Sequence, residues 1–455
     1  MTLIRFNDAM RIAAFATRAP GLPDDWPVNI IRDVYGRIRF AVNCNNADYP
    51  EPARQQLEAV HAVLGVYATR ANVLFRDDFS NPDAIFDSAD WHVTTVNSAP
   101  DKDGATSTAP DVTVSVLDRQ ITGRDWLNAP VSADIHPHRL VFYGLKGGVG
   151  RSTALAMVAY GLARQGKRVL LIDFDLESPG LSGLLLPPDR VAEFGLVDWF
   201  VEDAVGQGDA VLRSMVSVSP LADATNGSIR VAAAMGQMET AYLAKLARAY
   251  AEMPGPTGPQ RFAARMQRIV ELLEKREQPD VVLIDSRAGL HDVAAVSITR
   301  LADTALLFAT HSAQNWLGYR QLFMHWQHRP EVCSRVRERL AIVRALAPQG
   351  NREAQVRSFQ EHAYELFSGT LYDEIAPSFE PESVAALDAP QLFHPAMEDE
   401  SAPHFPILVD WDDRFQEFDP NLRPEHGGVN DAQIDATFGA LIDWTMTQIS
   451  GVECD

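Results

Sequence analysis

Leu140-Val141-Phe142-Tyr143-Gly144-Leu145-Lys146-Gly147-Gly148-Val149-Gly150-Arg151-Ser152-Thr153 decides how this chain is built. The apolar run Leu140–Tyr143 has the composition of a short buried strand, and a helix is expected from about Ser152 to Gln165. Glycines between a strand and a helix let the backbone curl until several N–H groups point inward. With the unpaired N–H groups of the helix N-terminus added, the turn becomes an anion cradle. Gly147, Gly148 and Gly150 meet that need, and Ser152 is placed to put its hydroxyl on a magnesium ion accompanying a phosphate chain. Arg151 keeps a positive charge at the cradle and can fork onto two phosphate oxygens, so nucleotide binding survives the choice of arginine. Its bulk and planarity displace that charge from the point a transition state needs, which predicts slow hydrolysis.

Strands and helices alternate on either side of this turn. Arg168–Ile172 is a buried strand ending in Asp173, and Val281–Ile284 is another ending in Asp285. Asp303–Ala309 and Leu340–Val343 read as further strands. Continuous apolar runs separated by helices indicate a mostly parallel, doubly wound α/β sheet covered on both faces. The chemically loaded residues all follow strand C-terminal ends, where such sheets bind ligands.

Upstream lies a second α/β segment. Val28–Val34 and Arg37–Val42 flank Tyr35-Gly36 as a hairpin would, and Glu51–Tyr67 has helical spacing with Leu57, Val60, His61 and Leu64 on one side. Val112–Leu117 is a β-branched strand. The stretch Ser98–Pro110, dense in Ser, Pro, Gly and Asp, reads as an exposed loop. At 455 residues the chain exceeds one ordinary core. The expected division is an N-terminal α/β domain of residues 1–132 and a nucleotide-binding domain of residues 133–455.

Charge is distributed unevenly. Residues 361–455 hold 21 acidic and two basic residues, Arg414 and Arg423, and so carry 19 of the chain's 21 excess negative charges. A polyanion is repelled there, and a solvated acidic face is the plain reading, with docking of a basic partner the other. Cys44, Cys333 and Cys454 form no CxxC pair, which points to a reducing cytoplasm and away from zinc ribbons or iron–sulfur clusters. No apolar run approaches a membrane span, and Met1–Arg18 lacks the apolar core of a signal peptide.

Lys146-Gly147-Gly148-Val149-Gly150-Arg151-Ser152-Thr153 sits close to the P-loop pattern G-x4-G-K-[ST], with Leu145 at the first glycine position and Arg151 at the lysine. It resembles the deviant Walker A loop of the ParA/MinD ATPases, in the variant with arginine often written KGGVGR. The resemblance runs from about Arg139 to at least Gly318. It includes Gly195-Leu196-Val197-Asp198, the turn Asp285-Ser286-Arg287-Ala288-Gly289-Leu290 and the stretch Gln314-Asn315-Trp316-Leu317-Gly318. Nothing in Met1–Ser132 resembles a family.

The resemblance implies specific roles. ATP and Mg²⁺ bind at Lys146, Gly147, Gly148, Val149, Gly150, Arg151, Ser152 and Thr153. Ser152, Asp173 and Asp285 lie at the metal, Asp285 holding it through water. Lys146 reaches across an ATP-sandwiched homodimer to the partner's phosphates, and Asp175 orients the attacking water, so Lys146, Asp175 and Arg151 are the catalytic candidates. Gly289 lets its loop move when the γ-phosphate is lost. The KGGVGR variant implies a bacterial conflict or antiviral (phage-defence) setting, with a protein partner or effector.

Other roles are less well supported by the residues. Ala432–Ile449 has Asp435 and Asp443 and no Lys or Arg, unlike a basic amphipathic membrane helix. The last tyrosine is Tyr372, so no C-terminal tyrosine cluster exists. His136 and His138 lack a third metal ligand at obvious spacing. The arginines at 329, 335, 337, 339, 344, 352 and 357 are interleaved with Glu331, Glu338 and Glu353, as on a solvated helix face. The sequence thus predicts a cytoplasmic, dimerising ATPase switch. A non-hydrolysing, nucleotide-gated scaffold and a DNA-partition ATPase are the alternatives.

Overall fold

The computed structural model describes residues 4–88, 90–97, 111–120, 122–128, 136–237, 241–253, 260–348, 350–375, 392–416, 418–419, 422 and 428–452. The loop expected at 98–110, Arg423 and Cys454 lie outside them. The chain forms two compact units, Met1–Arg124 and Asp125–Asp455.

The smaller unit holds strands β1 (Val28–Arg32), β2 (Ile38–Val42), β3 (Ala68–Leu74), β4 (Trp91–Val96) and β5 (Val112–Asp118), in the order β3-β2-β1-β5-β4. β1 and β2 are the expected antiparallel hairpin, with Val28 opposite Val42. Gly36 sits at φ +81° in its turn, a conformation glycine adopts without a Cβ clash. Helices Phe6–Ala16 and Glu51–Val63 bury Ala9, Ala13 and Leu57 against this sheet. The second helix stops short of Tyr67 because Gly65, at φ +57°, leaves the right-handed helical region, and a 3₁₀ turn follows at Gly65–Tyr67.

The larger unit is an eight-stranded sheet in the order β13-β12-β11-β6-β10-β7-β9-β8. Its strands are β6 (His138–Gly144), β7 (Arg168–Asp173), β8 (Ser217–Val218), β9 (Ser228–Ala232), β10 (Val281–Asp285), β11 (Thr304–Ala309), β12 (Leu340–Ala347) and β13 (Ile407–Asp410). Every pairing is parallel except β8 with β9. Alternate residues feed two cores. Val141 and Tyr143 join one with Trp199, Phe323 and Trp326, while Leu140 and Phe142 join the other with Leu155, Phe438 and Leu441. A sheet buried on both faces explains the unbroken apolar runs of its strands.

The chain runs from β6 out to β7 and β9, returns through β10, and then crosses to β11 on the opposite side of β6. That reversal opens a crevice above the C-terminal ends of β6, β10 and β11, which is where open α/β sheets hold ligands.

Candidate functional site

β6 delivers the chain into Leu145–Gly150, and the helix Arg151–Arg164 begins immediately afterwards. Gly148 and Gly150 both lie at φ +76°, so the turn needs glycine at these positions. Val149 is buried in the core below and fixes the height of the loop, while Gly147 and Gly148 are exposed. Lys146 is exposed as well, and no ion pair ties it to the described residues.

The strand-end aspartates are brought to the same level. Asp285 of β10 pairs in register with Asp173 of β7 on one side and with Phe142 of β6 on the other. Ser152 Oγ donates to Asp285 Oδ2 at 2.6 Å. Arg151 spans two carboxylates, with Nε donating to Asp285 Oδ1 at 2.6 Å and Nη2 to Asp175 Oδ2 at 3.0 Å. Burial disfavours the Arg151 charge, and Asp285 and Asp175 outweigh that, so its pKa is raised. Burial also pushes Asp285 above its ordinary value, opposed by Arg151 and Ser152.

Asp173 is placed differently. It is fully buried, and its oxygens accept the backbone N–H groups of Asp175 (3.1 Å) and Leu181 (3.2 Å). Burial, with the charge of Asp285 second, pushes its carboxyl well above the usual range. In this arrangement Asp173 shapes the turn that presents Asp175. Asp175, Arg151, Asp285 and Ser152 form one hydrogen-bonded chain in that order, and Lys146 is not part of it.

The segment after Asp175 is tied to the turn after Asp285. Glu177 forms an ion pair with Arg287 and accepts a hydrogen bond from the Tyr250 hydroxyl. Tyr242 donates to the Leu176 carbonyl at 2.6 Å. Gly289, at φ +82°, donates its N–H to the Gly144 carbonyl at 3.1 Å, and Tyr143 donates to the Gly289 carbonyl at 3.1 Å. Downstream, Asn315 is buried and its amide closes the Thr310–Asn315 turn on the Thr310 hydroxyl at 2.7 Å.

A cavity of about 600 Å³ opens beside the loop, lined by Lys146–Thr153 at one end and by Leu346, Trp411, Phe415 and Phe438 at the other. Asp410, Gln416 and Thr437 supply polar groups there. Trp411 is 40% exposed, and the Phe415 and Phe438 rings meet edge to face with centroids 4.9 Å apart. Leu346 sits at φ +52°, rare for a residue with a side chain, where the β12–β13 register breaks. Sequence reading missed this end of the cavity. A short run, ILVD, ending in aspartate and followed by tryptophan was the available signal, at residues 407–411.

The discounted residues are engaged elsewhere. His138 Nε2 lies 3.2 Å from Thr304 Oγ1, and His136 Nδ1 lies 2.9 Å from the Pro137 carbonyl. Arg337 pairs with Asp373, Arg352 with Asp410 and Arg357 with Glu361, while Arg344 is buried over the Phe359 ring. Cys44 and Cys333 are buried free thiols. Among the described residues no helix is long and apolar enough to cross a membrane.

A family match covers the loop and the strand-end aspartates. Residues 140–310 match the family described as the CobQ/CobB/MinD/ParA nucleotide binding domain. The antiactivator FleN of Pseudomonas aeruginosa is 29% identical over 176 residues, 38% of this chain and 51% of FleN, so the match spans about half of that relative's length. Two solved structures also align. Cobyrinic acid a,c-diamide synthase from Mycobacterium smegmatis, solved with a bound ATP analogue and magnesium, is 19% identical over 50% of this chain and 82% of its own (TM-score 0.35). A ParA family ATPase from Chlorobium tepidum is 17% identical over 50% and 80% (TM-score 0.34). The loop at the end of β6 and Asp285 at the end of β10 both fall within residues 140–310, the part of the larger unit that matches a P-loop nucleotide-binding domain of the ParA/MinD type.

Proposed function

We propose that this chain is a magnesium-dependent ATP switch that dimerises around ATP, hydrolyses it slowly and regulates a protein partner. The observation that carries the reading is one continuous cavity. It joins a glycine-rich anion cradle, whose Arg151 and Ser152 are hydrogen-bonded to the carboxylates of Asp175 and Asp285 behind it, to an aromatic pocket of a size suited to a nucleotide. The triphosphate lies along Gly147–Thr153, and the base lies against Trp411, Phe415 and Phe438, where stacking and burial favour a flat heterocycle.

The residues fit a magnesium ion. Ser152 donates its proton to Asp285 and so keeps its oxygen lone pairs for a cation. Among the described residues no three His, Cys, Asp or Glu side chains form a ready-made cage. That suits Mg²⁺, which takes one or two protein ligands and completes its shell with phosphate oxygens and water. Bound there, it supplies charge neutralisation on the phosphates. Asp285 is the water-mediated holder, with Asp173 behind it, and Asp175 accepts a proton from the attacking water and aims it. Lys146 reaches a partner subunit's phosphates. FleN, as an antiactivator, restrains another protein, which favours a protein-directed output. The KGGVGR loop suggests a conflict or phage-defence setting for that output.

The test is mass by light scattering with ATP and magnesium, alongside phosphate release, for the wild type and Asp175→Ala. The switch reading expects ATP-driven dimers of both proteins, persistent in the variant, and phosphate release by the wild type alone. ATP binding without release by either protein supports the non-hydrolysing scaffold, which the Arg151 contacts favour. Absence of ATP binding overturns both.

A further inference from the structure

Resting on that reading, we propose that Arg151 is a displaceable internal counter-ion, one that holds the metal-side and water-side carboxylates until a triphosphate draws it away. The guanidinium lies between the ends of two strands. Its Nε donates to Asp285 Oδ1 at 2.6 Å, and its Nη2 donates to Asp175 Oδ2 at 3.0 Å. The second oxygen of Asp285 is taken by Ser152 Oγ at 2.6 Å. The Arg151, Asp175 and Asp285 side chains are only 9%, 12% and 2% exposed, so solvent screens these contacts weakly.

This arrangement depends on arginine. A planar fork with separate donors bonds two carboxylates at once, whereas a lysine ammonium is a compact point charge on a flexible stem. The same fork cannot hold both aspartates and also lie along a phosphate chain. A triphosphate in the cradle offers several anionic oxygens already backed by loop N–H groups, and the guanidinium exchanges carboxylate for phosphate acceptors. Desolvation and attraction nearly cancel for a buried ion pair, so the exchange is close to balanced and the added phosphate acceptors tip it.

Two consequences follow. Asp285 is not free for a divalent cation until the nucleotide has taken Arg151, so nucleotide binding precedes or accompanies metal binding. Asp175 is released in the same movement, so the water-orienting carboxylate becomes available only when a phosphate chain is present. Loss of the γ-phosphate returns the guanidinium to the aspartates. One side chain thereby couples the end of β10 to the end of β7.

A double-mutant cycle on the full chain tests this, read as binding of a fluorescent ATP analogue. Asp175→Asn keeps an acceptor oxygen but removes the negative charge from one of the two holds on Arg151, and is expected to tighten binding about five- to tenfold. In the Arg151→Gln background the same change is expected to gain less than about twofold. Equal gains in both backgrounds would mean simple relief of charge repulsion and would overturn the proposal. Arg151→Lys, which keeps the charge but cannot span both aspartates, replaces Arg151→Gln if thermal unfolding shows that variant is not folded. Mn²⁺ titration without nucleotide, followed by electron paramagnetic resonance, provides an arm independent of ATP. Binding by Arg151→Gln but not by the wild type supports the proposal, and equal binding overturns it. A wild type that binds no ATP removes the proposed function, and the Mn²⁺ arm still decides the role of Arg151.

Discussion

Lys146 and Arg151 are five residues apart and face opposite circumstances. Arg151 is 8% exposed and held by two carboxylates, whereas Lys146 is exposed and free of ion pairs with the described residues. A long charged side chain without an intramolecular partner adds little to stability, because solvent satisfies it in either state. Lys146→Ala is therefore expected to shift the melting temperature by less than about 2 °C. It is also expected to abolish ATP-driven dimerisation, since its target is a second subunit's phosphates. Calorimetry paired with light scattering checks both, and an ATP-dependent dimer of the variant would count against the cross-subunit role. Arg151→Lys moves the other way in catalysis. A point charge freed from Asp175 can follow the developing phosphate charge, and turnover is expected to rise by about tenfold or more in a phosphate-release assay.

At the scale of elements, the helix after the loop is pinned by the C-terminal helix Asp431–Val452. A Cβ built on Gly161 would lie 2.7–3.0 Å from three side-chain carbons of Ile442, which is itself 4% exposed. Alanine is the better helix former by about 1 kcal/mol, but isoleucine is stiff at χ1 and cannot swing aside. Overpacking of about 1–3 kcal/mol outweighs the propensity, so Gly161→Ala is expected to lower stability in denaturant unfolding. Ile442→Ala is expected to cost less in the Gly161→Ala background than alone, and additive losses would refute the contact. Segment 392–405 is held to helix Arg352–Ser368 partly through His404, which is fully buried. Its Nδ1 accepts from the Tyr372 hydroxyl at 2.6 Å and its Nε2 donates to the Met397 carbonyl at 3.2 Å, a set that suits the neutral ring. Burial lowers its pKa, opposed by the Met397 carbonyl, Asp399 and Glu398 and reinforced by His394. The folded state thus binds fewer protons than the unfolded chain below about pH 6.5, and this share of stability is lost as pH falls toward the folded pKa. His404→Gln is expected to flatten the pH dependence of unfolding between pH 7.5 and 5.5 by at most one proton, about 1.4 kcal/mol per pH unit. A slope identical to the wild type's would remove His404 from that account. Five strands of the larger unit, β6, β7, β10, β11 and β12, and the loop were legible in sequence because each is a local apolar run, closed at β6, β7 and β10 by a charged or glycine-rich end, whereas the short strands β8, β9 and β13 were not read. The far end of the cavity was not, because Leu346, Trp411, Phe415 and Phe438 come from three separate stretches joined only when β13 completes the sheet edge. The hold of Arg151 on Asp175 and Asp285 was likewise hidden, since residue type gives a side chain's charge and not its direction.

For the molecule as a whole, charge placement decides which partners are reachable. Residues 361–455 carry 19 of the 21 excess negative charges, and Asp410 and Asp412 of that region line the same cavity as the loop. Several of the chain's arginines are consumed internally: Arg337, Arg352 and Arg357 in ion pairs, Arg344 over Phe359. Non-specific binding to duplex DNA draws its energy from counterion release by Lys and Arg set against phosphates, typically giving dissociation constants of about 10⁻⁴–10⁻⁶ M. A chain with 40 basic against 61 acidic residues gains that energy only if a basic face is segregated from the acid. Arg352 and Arg357 stay exposed on one helix, but Glu353 and Glu361 lie beside them, so acid and base are interleaved there rather than segregated. A gel shift at about 50 mM salt, where phosphate contacts are strongest, is therefore expected to show no complex at about 10 µM protein, with or without ATP. A shift that appeared with ATP and faded steeply with salt would mean that dimerisation assembles a basic surface from two subunits, and the partition-type reading would displace the protein-directed switch.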